Sequence, residues 1–201
     1  MKAFSGVALI GRWEYNSGSM SLRRVLLGVV LAAIAMAQRR VPDVPYLPTT
    51  PEAVDAMLKL ADVKKTDVVY DLGCGDGRIV VAAAKTYGAR AVGIDIDPQR
   101  IAQAKENAKK AGVENLVRFE ENDLFKADIH EASVVTLFLL SSVNRRLEPK
   151  LRRDLQPGTR IVSNTFDMGS WAPEKEFNVD APTSVSEFSR HLYLWVVPQK
   201  K

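Results

Sequence analysis

Residues 68–84 read VVYDLGCGDGRIVVAAA, and this stretch decides the fold. An apolar run stops at Asp71, three glycines follow within five residues, and an amphipathic segment begins at Arg78. Short, almost entirely apolar runs are typical of strands that are buried on both faces of a parallel sheet. Gly73 and Gly75 allow a ligand to approach the backbone closely, because glycine has no Cβ. The stretch therefore predicts a strand, a ligand-binding turn and a helix N-terminus.

The pattern of a short apolar run followed by a helical segment repeats along the chain. Strands are predicted at 67–72, 91–95, 117–121, 134–140 and 160–164, and helices at 78–87, 98–111 and 143–155. Another helix begins at Thr50-Pro51-Glu52, where a capping residue, a proline and an acid follow one another. A last strand at 191–197 follows residues 179–189 with no long helix between, which indicates a hairpin and one antiparallel strand. Counting the partner strand that a hairpin requires, the sequence predicts a doubly wound α/β fold with a mostly parallel, seven-stranded sheet.

Residues 1–40 form a leader that differs from the rest of the chain. Two arginines precede a 13-residue apolar run, 25–37, which ends in Ala35-Met36-Ala37, as secretory signals do. The run is shorter than the ~20 residues of a spanning helix, and the arginines on both flanks leave its orientation open. A cleaved signal and an uncleaved membrane anchor both fit, and translation can begin at Met1 or Met20. A proline-rich arm, 41–50, joins the leader to the folded domain at 51–201.

The positive charge of the chain is concentrated in the leader. The chain has 28 Lys and Arg against 24 Asp and Glu, and residues 1–40 hold six of the basic residues and one of the acidic ones. Residues 41–201 therefore hold 22 basic and 23 acidic side chains. Nucleic-acid enzymes usually carry a basic face on the folded domain, so nucleic acid is not the expected partner. The local basic cluster is interpreted as a solvated helix face and consists of Arg145, Arg146, Lys150, Arg152 and Arg153.

The chain has one cysteine, Cys74, and two histidines, His130 and His191. A single cysteine excludes an internal disulfide, and two histidines far apart in sequence argue against a zinc site. Cys74 lies between two glycines, where a small buried residue is favoured over a nucleophile. We expect no metal.

Acidic residues follow three successive predicted strands. Asp71 and Asp95 lie at the ends of the first and second strands, and Asp123 follows the third. In a doubly wound sheet these ends meet at the ligand-binding edge. Acids beside a G-x-G-x-G turn disfavour a pyrophosphate, whose usual fingerprint is G-x-G-x-x-G. They suit a cofactor with an ammonium and a sulfonium group. Asp95 could then accept hydrogen bonds from both hydroxyls of a ribose, and Asp123 could accept one from the amino group of an adenine.

The motifs D-L-G-C-G-D-G-R, G-I-D-I-D and N-D-L-F resemble those of the Rossmann-like S-adenosylmethionine-dependent methyltransferases. The resemblance extends from about Thr50 to the end of the chain and implies that 51–201 is a methyltransferase domain with S-adenosyl-L-methionine as cofactor. In that family the glycine turn holds the methionine part, the second acid the ribose and the third acid the adenine. The implied cofactor-binding residues are Asp71, Gly73, Gly75, Asp95, Ile96, Asp123 and Leu124.

A narrower resemblance joins P-Y-L-P-T in the arm, L-F-L-L-S-S-V-N after the fourth strand and the Trp of G-S-W. These motifs are similar to those of bacterial relatives of a group of protein-lysine methyltransferases. The eukaryotic members of that group are anchored in the mitochondrial inner membrane and modify the ATP synthase c-ring protein. The resemblance implies a protein lysine as methyl acceptor, including one in a membrane-embedded protein.

No catalytic residue is predicted, since methyl transfer from a sulfonium is an in-line displacement that depends mainly on positioning and desolvation. Ser141 and Asn144 at the fourth strand and Tyr46 in the arm are candidates for substrate binding, although capping or packing roles fit equally well. Residues 166–168, after the fifth strand, are candidates for the acceptor pocket. The chain lacks the Pro-Pro-Tyr tetrad that accompanies methylation of adenine or glutamine in this fold, which favours a lysine amine.

Other functions remain open on the sequence alone. They are methylation of RNA or of a small molecule, cofactor binding without catalysis, and a nicotinamide dehydrogenase. S-adenosylmethionine is made in the cytosol, so we expect residues 25–37 to be an uncleaved anchor with the domain on the cytoplasmic face. The alternative is a cleaved signal peptide and a periplasmic protein. Membrane association would bring a membrane acceptor within reach of the site.

Overall fold

The computed structural model describes residues 46–179 and 191–199. The leader, with its apolar run at 25–37, and residues 41–45 of the arm lie outside the described residues. In the described part, no helix is long and apolar enough to cross a membrane. Its elements are α1 (Pro51–Leu60), β1 (Val68–Leu72), α2 (Arg78–Tyr87), β2 (Arg90–Asp95), α3 (Pro98–Ala111), β3 (Val117–Glu121), β4 (Val134–Leu137), α4 (Ser141–Asp154), β5 (Arg160–Asn164), β6 (Lys175–Asn178) and β7 (His191–Val196).

Within the described residues seven strands form one sheet, in the order β3-β2-β1-β4-β5-β7-β6. The first five strands of the chain pair in parallel, and β7 is antiparallel to both β5 and β6. The chain moves outward from β1 to β3 and then returns to the other side of β1 at β4, which creates the switch point of a doubly wound sheet. The predicted α/β fold with a mostly parallel sheet and an antiparallel C-terminal end is confirmed.

Apolar cores cover both faces of the sheet. Alternate residues of β1 enter different cores, because side chains alternate across a strand: Val69 faces one core, and Val68 and Tyr70 face the other. The first core contains the apolar faces of α1, α2 and α3. The second contains α4, through side chains such as Leu147, and the buried indole of Trp195. The rigid strand ends between these cores position the site.

The structure differs from the predicted boundaries after the fourth strand. β4 ends at Leu137 rather than at 140, and α4 begins at Ser141 rather than at 143. The apolar run does continue to Leu140, but its last residues leave the ladder and Phe138 and Leu139 line a cavity instead. The C-terminal hairpin consists of β6 and β7, so β6 precedes the 179–189 segment, of which residues 180–189 lie outside the described residues.

Candidate active site

A cavity of about 150 Å³ lies beyond the carboxyl ends of the central strands. Its walls come from the arm, from the glycine turn 73–77, from the ends of β2 and β3, and from the segment after β4. The structure brings all the residues that the sequence predicted for cofactor binding to this cavity, namely Asp71, Gly73, Gly75, Asp95, Ile96, Asp123 and Leu124. No cluster of His, Cys, Asp and Glu that suits a metal occurs in residues 46–179 and 191–199.

The glycine turn is tied to the end of β2 by its backbone. The amides of Gly73 and Cys74 both donate to the carbonyl oxygen of Ile94, at 2.8 and 2.9 Å. Gly75 has φ +53°, and a Cβ at this position would lie 2.5 Å from the ring of Tyr46. Gly75 therefore lacks a side chain for two reasons, since its left-handed backbone disfavours one and the ring of Tyr46 takes its place.

Asp95 is fixed at the end of β2 by two backbone donors. The amide of Gly75 donates to Oδ2 at 2.8 Å, and the amide of Asp97 donates to Oδ1 at 2.9 Å. Each carboxylate oxygen can accept a second hydrogen bond, so Asp95 keeps the capacity to accept two hydroxyl groups. The neighbouring Asp97 has a different role, because its side chain caps α3 by accepting from the amide of Gln99.

Asp71 is a buried carboxyl group at the bottom of the cavity. The hydroxyl of Thr136 donates to its Oδ1 at 2.8 Å. Burial raises the pKa of Asp71 to about 7, against the opposing effect of the Thr136 hydrogen bond, and the nearby carboxylates of Asp95 and Asp76 raise it further. A cationic group in the cavity would stabilise the ionised form, so this carboxylate suits an ammonium or a sulfonium ligand.

Two arginines hold the arm over the glycine turn. Arg78 donates from Nε and Nη2 to the two oxygens of Asp76, at 2.9 and 2.7 Å, and from Nη1 to the carbonyl of Thr49 at 2.7 Å. Although partial burial acts in the opposite direction, the bonds from Arg78 keep the pKa of Asp76 below its usual value. The guanidinium of Arg100 lies 3.6 Å from the ring centre of Tyr46. The arm is therefore part of the site wall.

Sequence reasoning named Tyr46 but missed Arg78 and Arg100. A basic residue at the N-terminus of a helix interacts unfavourably with the helix dipole, so the position of Arg78 in the sequence could have indicated a role in the site. The stack of Arg100 on Tyr46 left no such signal, because it joins two segments that are distant in sequence.

The side of the cavity away from the glycine turn is apolar. Phe138, Leu139 and Val143 line it. The ring of Phe138 stacks on that of Phe166, with the centroids 6.1 Å apart. The sequence named 166–168 as candidates for the acceptor pocket but did not name Phe138, whose aromatic partner lies in another segment.

The two polar candidates for substrate binding, Ser141 and Asn144, differ in their exposure to solvent. Ser141 is the first residue of α4 and is partly exposed. Asn144 is fully buried, and its Nδ2 donates to the carbonyl oxygens of Phe166 and Asp167 at 3.1 and 3.3 Å. The residues that line the cavity include neither of them.

Neither Cys74 nor Tyr46 has the chemistry of a nucleophile or base here. Cys74 is buried, as the sequence predicted, and burial raises the pKa of its thiol, so the thiolate is disfavoured. Burial, with the charge of Asp76, also raises the pKa of the Tyr46 phenol, which therefore stays protonated. The arrangement provides binding and orientation rather than a covalent intermediate.

Comparisons with known proteins agree with this chemistry. Residues 71–175 match the family described as ANTKMT methyltransferase domain. A protein-lysine N-methyltransferase of Saccharolobus islandicus is 43% identical over 162 residues, which are 80% of this chain and 98% of that protein. The lysine N-methyltransferase of Xenopus laevis that is named for the C-subunit of ATP synthase is 34% identical over 189 residues, which are 91% of this chain and 83% of that protein.

A solved structure is also similar. The crystal structure of an RNA methyltransferase from Salinibacter ruber in complex with S-adenosyl-L-homocysteine is 53% identical, with a TM-score of 0.70, and the match covers 77% of this chain and 96% of that one. S-adenosyl-L-homocysteine is the cofactor after methyl transfer, so the predicted cofactor, S-adenosyl-L-methionine, is confirmed, as is the predicted resemblance to the lysine methyltransferase group. The chain belongs to the ANTKMT methyltransferase domain family and is an S-adenosylmethionine-dependent methyltransferase.

Proposed function

We propose that this methyltransferase transfers a methyl group to the side-chain amine of a lysine in a protein. The observation that carries the proposal is the relative from Saccharolobus islandicus, a protein-lysine N-methyltransferase that is 43% identical and matched over 98% of its length. The apolar wall of Phe138, Leu139 and Val143 supports it. A lysine must lose its proton before it can attack, and an apolar environment lowers the pKa of an amine.

The cofactor is held by the residues at the ends of the strands. In this proposal, Asp71 faces the ammonium of the methionine part, Asp95 accepts the ribose hydroxyls and Asp123 accepts from the adenine amino group. Ile96 and Leu124 contact the two faces of the adenine ring. Tyr46 covers the glycine turn and separates the methionine part from solvent.

Catalysis then depends on orientation and on exclusion of water. The neutral amine attacks the methyl carbon in line with the bond to sulfur, and S-adenosyl-L-homocysteine leaves as a neutral thioether. The positive charge passes to the new methylammonium, which later loses a proton to solvent. Positioning of two reactants in this way can supply ~7–11 kcal/mol of the barrier reduction without an acid or a base.

RNA is the second candidate acceptor, because the similar Salinibacter ruber structure is of an RNA methyltransferase. The ion pairs on α4 argue against RNA as the acceptor. Arg152 pairs with Glu148 at 2.9 Å, and Asp154 lies 2.6 Å from Lys150 and 2.8 Å from Arg153. These pairs reduce the positive charge that would otherwise attract phosphates.

The acceptor is further proposed to be a membrane protein, with residues 25–37 as an anchor and the domain on the cytoplasmic face. The apolar run of the leader supports this, and so do exposed apolar residues near the cavity. Tyr46 and Leu47 are 42% and 51% exposed and line the cavity, and Leu140, at 39%, follows the lining residue Leu139. Fractionation of the native protein tests the proposal, and a freely soluble periplasmic protein would overturn it.

The acceptor class is tested by incubating the full chain with methyl-labelled S-adenosylmethionine and three separate fractions: membranes, soluble proteins and total RNA. We expect label in a membrane protein, recovered as methyl-lysine after acid hydrolysis. Asp95→Ala should abolish the transfer, and Asp128→Ala, which changes an exposed carboxylate outside the cavity lining, should not. Label found in RNA alone would overturn the lysine proposal and support the second candidate.

A further inference from the structure

The turn after β5, residues 164–168, has a strained backbone. Thr165 has φ +67°, a left-handed conformation that residues other than glycine rarely adopt. Asp62 shares this feature, but it directly follows the C-cap of α1, where left-handed residues are common. Strain of this kind persists only where neighbouring groups hold it, and it often marks functional sites. The β5 turn lies at the sheet edge that carries the cavity, because β5 runs parallel to β4.

The buried side chain of Asn144 holds this turn. Its Nδ2 donates to the carbonyl oxygens of Phe166 and Asp167 at 3.1 and 3.3 Å. The hydroxyl of Ser163 donates to the same Phe166 carbonyl at 2.6 Å. From the other side, the amide of Thr165 donates to the carbonyl of His191 in β7 at 2.7 Å. Groups from α4, β5 and β7 therefore fix one short segment.

The other end of the Asn144 amide has no partner. Among the buried side-chain nitrogen and oxygen atoms of the described residues, Oδ1 of Asn144 alone lacks a hydrogen bond. Rotating the amide would place this oxygen against the two carbonyls of Phe166 and Asp167, so the observed orientation is the favourable one. A buried acceptor without a donor destabilises a protein, and an apolar side chain of similar size would avoid that cost but would also remove the donor to the carbonyl of Asp167. What the asparagine supplies at this position is therefore its bonds to the turn.

The held segment carries the aromatic ring next to the cavity. Phe166 stacks on Phe138 with centroids 6.1 Å apart and an interplanar angle of 27°, and Phe138 lines the cavity. A shift of the Phe166 backbone would move this ring pair. The hydrogen bonds of Asn144 thus act on the apolar side of the cavity.

We propose that Asn144 is a positioning residue, which holds the β5 turn so that Phe166 and Phe138 form the wall that orients the acceptor side chain. The proposal rests on the proposed lysine methyltransferase function, because the aliphatic stem of a lysine would pack against these rings. It gives Asn144 a role through the backbone of the turn, without direct contact with the acceptor. In this proposal the wall serves the acceptor, so we expect cofactor binding to persist when the wall is disturbed.

The test compares Asn144→Ala with Thr159→Val in the full chain. Thr159 is also buried and attached to β5, but its hydroxyl donates to Ala132 at the opposite end of the sheet, at 3.1 Å. For Asn144→Ala we expect S-adenosyl-L-homocysteine affinity within about twofold of the parent and methyl transfer to the membrane fraction reduced at least about tenfold. Thr159→Val should lose neither property. Phe166→Leu retains the backbone contacts and should reproduce the transfer defect even if Asn144→Ala folds poorly.

A second measurement does not need an acceptor. The chain has seven phenylalanines, and fluorine NMR of protein labelled with fluorophenylalanine can assign Phe166 through the Phe166→Leu variant. Asn144→Ala should shift or broaden the Phe166 signal. An unchanged signal, or a transfer defect that matches a loss of cofactor affinity, would overturn the proposal. If the parent methylated no protein, the lysine proposal would fail, and the NMR signal would still decide whether Asn144 holds the turn.

Discussion

The ionisation of Asp71 should make cofactor affinity depend on pH. Burial raises the pKa of this carboxyl to about 7 in the protein without cofactor. The ammonium of the cofactor is proposed to bind the ionised form, so binding requires loss of the proton. At about pH 6 only about a tenth of the sites are ionised, and at about pH 8 nearly all are. The dissociation constant should therefore be about tenfold larger at the lower pH.

The same pKa shift should make the folding stability of the protein without cofactor decrease as the pH rises, whereas cofactor affinity increases. The folded protein without cofactor holds a proton on Asp71 that the unfolded chain, with an ordinary carboxyl, releases at lower pH. Folding stability from this group is therefore complete below the unfolded pKa and is lost as the pH rises toward about 7. A bound cation offsets this loss, so the stabilisation of the protein by cofactor should increase with pH.

Isothermal calorimetry with S-adenosyl-L-homocysteine across this pH range measures the effect. Repeating the titration in buffers of different ionisation enthalpy counts the protons released on binding. Asp71→Asn is the matched control, which should bind more weakly near pH 8 and show little pH dependence. If the parent bound with the same affinity throughout, or if Asp71→Asn kept the full pH dependence, the assignment of the titrating group to Asp71 would be wrong.

Three substitutions test other contacts. Gly75→Ala puts a Cβ 2.5 Å from the ring of Tyr46, so calorimetry should show cofactor affinity reduced at least about tenfold, and unchanged affinity would contradict the close approach. Thr136→Val removes the hydroxyl donor to Asp71, so the midpoint of the pH dependence should move upward, and a downward shift would contradict the role of this bond. Leu147→Ala leaves a cavity under α4 and should lower the free energy of unfolding by about 2–5 kcal/mol in urea titrations, with affinity for S-adenosyl-L-homocysteine retained below the transition.

The sequence predicted the fold and the cofactor side of the site because both have local signals. Apolar runs that alternate with helical segments predict a doubly wound sheet, and the topology of that sheet brings the ends of its strands together. Asp71, Asp95 and Asp123 each lie at or just after the end of a strand, so the sheet topology alone predicts that they meet. The end of β4 could not, since Phe138 to Leu140 are as apolar as the strand before them. Whether such residues stay in the ladder depends on neighbours that the pattern does not contain.

The acceptor side lacks local signals, which is why the methyl donor was easier to predict than the acceptor. Asn144 lies 22 residues before the carbonyl that it holds, and its spacing and type fit an ordinary position in the first turn of a helix. Phe166 has no aromatic neighbour in its own segment, and it joins the wall of the cavity only because its ring stacks on that of Phe138. In the proposed binding mode, carboxylates and backbone amides at fixed positions of the fold recognise the donor, whereas the acceptor meets side chains that are oriented by tertiary hydrogen bonds. Substitutions at Asn144 and Phe166 should therefore alter the choice and rate of the acceptor while the donor site stays intact.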